Sequence, residues 1–122
     1  MAKEKETKRI TRGMPNNVDA EASVLGSILI DNEAADALVP MLKAGDFYLA
    51  QNSIIFSVMK ELQNESIPID TVTVSDRLEL KGQLDEVGSI AYLSELAEAV
   101  PSAANSEQYA EIVRRDSLLR RI

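Results

Sequence analysis

The chain has 122 residues, with 13 Lys or Arg, 20 Asp or Glu and no His, so its formal net charge is −7. Cys and Trp are absent, and hydrophobic residues make up 45% of the sequence. This length and composition are typical of one globular domain. The missing residue types exclude disulfides, thiol nucleophiles, imidazole bases and zinc sites built on Cys or His. The acidic balance argues against a general nucleic-acid-binding surface.

The charge is distributed unevenly along the chain. Residues 1–14 sum to +3, residues 15–110 to −12 and residues 111–122 to +2, so an acidic body lies between two basic ends. No run approaches the roughly 18 apolar residues of a membrane span. The polar N-terminus does not resemble a signal peptide. The predicted location is therefore the cytoplasm.

The first helix is predicted from the spacing of its apolar residues. Residues 1–13 are polar and are predicted to form a flexible basic arm. After the breaker residues 13–17, apolar residues recur at helical spacing from Val18 to Leu29 and predict an amphipathic helix. Gly26 lies in the middle of this helix, where Gly costs about 1 kcal/mol relative to Ala. A glycine there indicates that another helix packs closely against it.

Glu21 lies on the apolar side of this first helix, between Val18, Leu25 and Ile28. The interpretation that we favour is a carboxylate at the rim of the core, which reaches solvent or a nearby cation. The alternative is a buried carboxylate, which would need hydrogen-bonding partners because burying an unpaired charge is costly.

Two helices are predicted on either side of the turn at residues 45–46. A short helix over residues 34–42 is interrupted by Pro40, which cannot continue a helical hydrogen-bond ladder. Residues 47–49 are predicted to insert into the core. The following helix, with an apolar stripe over residues 54–62, is predicted to be capped by Asn52 or Ser53.

Two more helices are predicted before residue 101. One begins at Asp70 or Thr71 and ends before Gly82, which is placed as a C-terminal cap. The other begins at residues 88–89 and ends before Pro101.

The last helix is predicted to run from Asn105 to the end of the chain. Tyr109, Ile112, Val113 and Leu119 lie on one side of it, whereas Leu118 lies on the other. Two alternatives follow from apolar residues on two faces. The helix continues or docks against another chain, or it packs on its own domain.

No catalytic motif is present in the sequence. The phosphate-binding loop, the dinucleotide-binding glycine pattern and the nucleophile elbow are all missing. Most acidic residues lie on predicted outward helix faces, and the five aromatic residues do not alternate with cations as a single-strand-binding surface would require. The residues alone therefore indicate an all-α interaction module rather than an enzyme.

A series of segments resembles a known family through its order and spacing. These segments are PNNVDAEASVLG at 15–26, DFY at 46–48, IPID at 67–70, GQL at 82–84 with Gly88, PSAAN at 101–105 and YAEIV at 109–113. From about residue 13 onwards, the chain resembles the N-terminal domain of the bacterial replicative DNA helicase of the DnaB type. One departure is Asp19, where family members often have Glu.

The resemblance implies an all-α fold, with a compact helical bundle over residues 14–100 followed by the first arm of a helical hairpin, truncated, over residues 101–122. In this family the hairpins of neighbouring subunits pair, and the hexamer has a collar that is a trimer of dimers. The resemblance therefore implies self-association. It also makes Tyr109, Ile112, Val113 and Leu119 the predicted subunit interface.

The resemblance further implies partners in DNA replication. Primase docks on the collar, and the helicase loader also contacts it. No catalysis, cofactor or metal is expected in this chain, because ATP, Mg²⁺ and the DNA contacts belong to a separate C-terminal motor domain. Two alternatives are a small DNA-binding module that uses the basic ends and a small enzyme that uses surface carboxylates.

Overall fold

A computed structural model describes residues 16–122. Six α-helices form this part of the chain: α1 Val18–Ile30, α2 Asn32–Leu38, α3 Ala50–Asn64, α4 Thr71–Leu80, α5 Ser89–Glu98 and α6 Ser106–Arg120. Two 3₁₀ turns, Val39–Met41 and Ala44–Asp46, link α2 to α3. No strand occurs within residues 16–122, and the predicted all-α class is confirmed. The predicted flexible arm, residues 1–13, lies outside the described residues.

Most helix ends follow local sequence signals. The Asn17 side chain accepts a hydrogen bond from the backbone N–H of Ala20 at 2.9 Å, and Asp31 caps α2 in a similar way. Asp70 caps α4, as one of the two predicted starting residues. Gly82 follows α4 with a φ of +72°, a conformation that glycine adopts at little cost.

The predicted cap of α3 is wrong. This helix begins at Ala50, after Leu49, and no side chain caps it. Asn52 is fully buried instead, and its amide is engaged elsewhere. The spacing of the apolar residues predicted the helix correctly, but its start depends on a contact made by a distant residue.

Helix α1 is the centre of the domain, because α2, α3, α5 and α6 all pack against it. Its buried residues occupy several sides: Ala20, Glu21, Val24, Leu25, Gly26, Ser27, Ile28 and Leu29. A Cβ atom on Gly26 would lie 2.2 Å from the Leu96 carbonyl oxygen and 2.8 Å from Cγ2 of Val100. The predicted close packing at Gly26 is therefore confirmed, and the neighbouring helix is α5.

Helix α6 packs along α1 and also contacts α2 and the 3₁₀ turn Ala44–Asp46. Packing on its own domain was one of the two alternatives for this helix. The assignment of residues 101–122 to a hairpin arm stays a prediction.

The predicted insertion of residues 47–49 into the core holds for Phe47. Its side chain is buried, and its ring centroid lies 4.9 Å from that of Phe56 on α3. Tyr48 and Leu49 are only half-buried.

Among the described helices, none combines the length and the apolar character that crossing a membrane requires.

Candidate functional site

The four residues predicted for a subunit interface do not form one exposed stripe. Val113 is 2% exposed and belongs to the core, so it has no surface left for a partner in this structure. Tyr109 and Ile112 are half-buried and pack against the same core. Leu119 is 46% exposed. Val113 thus lies in the core and Leu119 is the member of the set that reaches solvent most freely, while the subunit interface itself stays a prediction.

The last turn of α6 carries an apolar end that points to solvent. Leu118 is 49% exposed, and Ile122, just past the helix, is 99% exposed. Leu118 and Leu119 are consecutive, so their side chains diverge by about 100° around the helix. They therefore serve two different surfaces. The signal in the sequence was the segment 118–122, in which large apolar residues stand on both sides of two arginines.

Asp46 fixes this end of α6 to the rest of the domain. Its buried carboxylate accepts hydrogen bonds from Oγ of Ser117 at 2.8 Å and from Nη2 of Arg121 at 3.1 Å. It also accepts one from the backbone N–H of Lys43 at 2.8 Å. Nη2 of Arg120 donates to the Asp46 carbonyl oxygen at 2.8 Å. A buried charge needs such partners, and here they set the position of the helix end.

Glu21 is a second buried carboxylate, and the favoured interpretation of it as a rim residue is wrong. Its side chain is 1% exposed. The backbone N–H of Tyr48 donates to Oε2 at 2.5 Å, and Nδ2 of Asn52 donates to Oε1 at 2.9 Å. A longer contact of 3.4 Å joins the N–H of Leu49 to Oε1. The carboxylate lies at the N-terminus of α3, where the helix dipole favours an anion.

The hydrogen bonds of Glu21 continue to α5. The hydroxyl group of Tyr92 donates to Oδ1 of Asn52 at 2.6 Å. Burial raises the pKa of the Tyr92 phenol, and the negative charge of Glu21 acts in the same direction. A chain of polar contacts therefore links α1, α3 and α5 inside the domain.

The two buried carboxylates hold the same short segment. Asp46 lies at its start, and Glu21 binds its backbone at Tyr48 and Leu49. Sequence reasoning treated Asp46 as a turn residue and did not find this arrangement. The available signal was an acidic residue directly before an apolar group, together with arginines at the far end of the chain.

A third polar cluster lies on the surface between α3 and α4. Arg77 contacts Glu65 at 2.7 Å and Glu61 at 3.1 Å, and Lys81 also contacts Glu61. The hydrogen bond from Lys81 holds the pKa of Glu61 below its ordinary value of 4.5. The hydrogen bonds from Arg77 lower the pKa of Glu65 in the same way.

These lowered pKa values predict how stability changes with pH. Because the folded state favours both carboxylates, the ion pairs stabilise it above pH 4.5, and this is lost as pH falls through the folded-state pKa values. We expect Arg77→Gln to lower the urea midpoint at pH 7, and the gap to the parent protein to narrow by about pH 3. Arg114→Gln is the control, because no carboxylate pairs with Arg114 among the described residues. A gap that stays constant between the two pH values would contradict the prediction.

Within residues 16–122, no three carboxylates lie close enough together to hold a metal ion. The polar clusters described above are formed by groups that contact one another. Their geometry stabilises helix packing. Taken with the exposed apolar end of α6, the described residues form an all-helical domain built around one central helix, with a surface suited to protein contacts.

The chain belongs to the family of DnaB-like helicase N-terminal domains, whose sequence model matches residues 13–115. The crystal structure of the N-terminal domain of DnaB helicase from Mycobacterium tuberculosis is similar to it. The TM-score is 0.85 at 37% sequence identity, and the match covers 88% of this chain and 78% of that one. The resemblance found from the sequence is therefore confirmed.

Relatives of full length carry the same similarity. The chain is 44% identical to the replicative DNA helicase DnaB of Buchnera aphidicola over 109 residues, which is 89% of this chain. It is also 44% identical to that of Geobacillus stearothermophilus over 108 residues, 88% of the chain. In both comparisons the chain spans 24% of the relative's length.

Proposed function

We propose that this chain acts in DNA replication as the assembly and partner-docking domain of a replicative DNA helicase. Membership of the family and the similarity to replicative helicases support the proposal. In this proposal the domain forms dimers, which build a hexamer in the whole protein. It also docks primase and contacts the helicase loader. ATP, Mg²⁺ and the helicase activity belong to a C-terminal motor domain, and this chain contributes no catalysis.

The observation that carries the assembly role is the exposed apolar end of α6. Leu119 is 46% exposed, although it is a large apolar residue. Asp46 holds the preceding turn in place through Ser117 and Arg121. A fixed apolar surface is better prepared for a partner than a mobile one, because less conformational entropy is lost on binding. Tyr109 and Ile112 lie earlier on the same helix and extend the proposed interface where they are half-exposed.

Self-association is tested by changing Leu119 to Asp. We expect the variant to remain folded, because the side chain is exposed, and its dimers to dissociate at least tenfold more readily. An apolar contact replaced by a buried charge costs well over the roughly 1.4 kcal/mol of a tenfold change. Multi-angle light scattering over a concentration series measures the molar mass. Leu80→Asp is the matched control, since Leu80 is 75% exposed on α4. Equal masses for both variants at every concentration would exclude this interface.

The docking role is tested by multi-angle light scattering of the chain mixed with the primase C-terminal domain. A complex that forms with the parent chain supports the proposal, and the absence of a complex at high concentrations of both proteins argues against it. The helicase loader is tested in a parallel arm. Pure chain should also show no ATP hydrolysis above the buffer rate.

The alternative of a DNA-binding module is less favoured by the contacts of three of the four C-terminal arginines. Arg120 and Arg121 donate to Asp46, and Arg115 pairs with Asp116 at 3.1 Å. These side chains would have to exchange existing partners to contact phosphates. The acidic body adds long-range repulsion to a polyanion.

A further inference from the structure

A small cleft lies where the segment before Asp46 meets the end of α6. Its volume is about 270 Å³. The cleft has an apolar part that includes Met41 and Leu118, and its charged lining consists of one carboxylate, Asp46, and four cationic side chains: Lys43, Lys60, Arg114 and Arg121. This combination of apolar surface and positive charge is unexpected in residues 16–122, which carry eight basic side chains against 18 acidic ones.

The cations of this cleft differ from the others in the described part of the chain. Residues 16–122 contain eight Lys or Arg residues, and four of them line this one cleft. The other four lie elsewhere: Arg77, Lys81 and Arg115 each pair with a carboxylate, and Arg120 donates to the carbonyl oxygen of Asp46. Arg121 is the cleft cation that has a carboxylate partner, Asp46.

The other three cleft cations have no ion pair with any described residue. Lys43, Lys60 and Arg114 share this property, although Lys60 lies 5.9 Å from the centroid of the Phe56 ring. Acidic side chains are more than twice as frequent as basic ones in residues 16–122, so three unpaired cations in one place form a local positive field. This field is available to an anionic ligand.

The size and lining of the cleft restrict the class of that ligand. A volume of about 270 Å³ lies below the roughly 300–1,000 Å³ of cofactor and drug-sized sites, and it fits one or two side chains. No aromatic residue lines it, whereas single-stranded nucleic acid is held by stacking on aromatic rings. The basic arm of the chain itself is excluded by its like charge.

We propose that this cleft binds an acidic segment of a partner protein, with one large apolar side chain flanked by Asp or Glu. The apolar side chain contacts Met41 and Leu118, and the carboxylates pair with Arg114 and the two lysines. Arginine binds carboxylates through two parallel hydrogen bonds, so the contact is specific in its geometry as well as in its charge. The proposal goes beyond the assembly role, because the cleft lies on the Leu118 side of α6 and self-association is assigned to Leu119.

The test uses a fluorescein-labelled ten-residue peptide of alternating Asp and Glu with one central Leu. Fluorescence anisotropy measures its affinity for the full chain. We expect Lys43→Glu combined with Arg114→Glu to weaken binding at least tenfold. The matched control is Arg115→Glu combined with Lys81→Glu, which changes the net charge equally outside the cleft and should stay within twofold of the parent. Circular dichroism verifies that all proteins are folded.

Two further measurements use the unmodified chain. Raising NaCl from 50 to 300 mM should lower the affinity for the peptide at least fivefold. Replacing the Leu of the peptide by Ser should lower its affinity at least threefold. Equal loss of affinity in the cleft and control variants would overturn the proposal. So would tighter binding of a thymidine 20-mer that the cleft variant abolishes, which would assign the cleft to nucleic acid. A change in molar mass caused by the cleft variant alone would assign it to a second copy of the chain and equally overturn the proposal. The Leu119→Asp variant should still bind the peptide, which separates this test from that of the assembly role.

Discussion

Glu21→Ala is expected to lower the free energy of unfolding by about 3–5 kcal/mol, because it leaves several buried donors without an acceptor. The Tyr48 N–H and the Asn52 amide both donate to this carboxylate, and the Leu49 N–H lies near it. Small domains are stable by only about 5–15 kcal/mol. The substitution should therefore remove a large share of the total. Urea unfolding followed by circular dichroism measures the change.

A second variant keeps the test informative if Glu21→Ala does not fold. Glu21→Gln preserves the shape of the side chain but places an NH₂ group where one oxygen accepts, so it should lose about 1–3 kcal/mol. Glu86→Ala is the control, since Glu86 is an exposed carboxylate in the turn before α5 and should change stability by less than about 0.5 kcal/mol. A Glu21→Ala protein as stable as the control would show that the buried contacts contribute nothing.

The Glu21 result also explains why its role was not predicted from the sequence. Helical spacing correctly placed Glu21 on the apolar face, but spacing does not show which residues of other elements pack against that face. Its partners lie 27 to 31 residues further along the chain. The same partners explain the wrong cap of α3, because Asn52 turns inward to Glu21. A distant carboxylate thus changed two local predictions together.

Features that depend on neighbouring residues were predicted well. The start of α4 at Asp70, one of the two predicted residues, follows from a side chain that bonds to the backbone three residues away. The placement of Val113 required the tertiary structure, because an apolar side chain on a helix fits a core and an interface equally well. The unpaired state of the cleft cations also depends on which carboxylates fold next to them.

The buried carboxylates connect the fold to the proposed function. Asp46 and Glu21 fix the segment between α2 and α3 from opposite ends, and Asp46 also holds the last turn of α6. Leu118 and Arg114 on α6 then face the cleft together with Lys43 from that segment. The geometry of the proposed docking surfaces therefore depends on internal hydrogen bonds. Loss of either carboxylate should therefore disturb the proposed docking surfaces even when every surface residue is unchanged.

The second large effect is expected at Gly26, where helices α1 and α5 touch. Gly26→Ala would place a Cβ atom 2.2 Å from the backbone carbonyl oxygen of Leu96, a distance that requires α5 to move. Overpacking of this kind costs about 1–3 kcal/mol, and a contact with backbone lies at the upper end because it cannot rotate away. The variant should therefore unfold about 10 °C or more below the parent protein.

Gly45→Ala is the matched control for this prediction. A Cβ atom on Gly45 would meet nothing within 4 Å, and the substitution reduces the freedom of the unfolded chain. It should therefore be neutral or stabilise the protein by up to about 1 kcal/mol. Thermal unfolding of both variants measures the difference. Similar midpoints would mean that α5 moves away from α1 at little cost. In that case the contact at Gly26 would not be what holds these two helices in register, and the Glu21–Asn52–Tyr92 hydrogen bonds would be left as the main constraint between them.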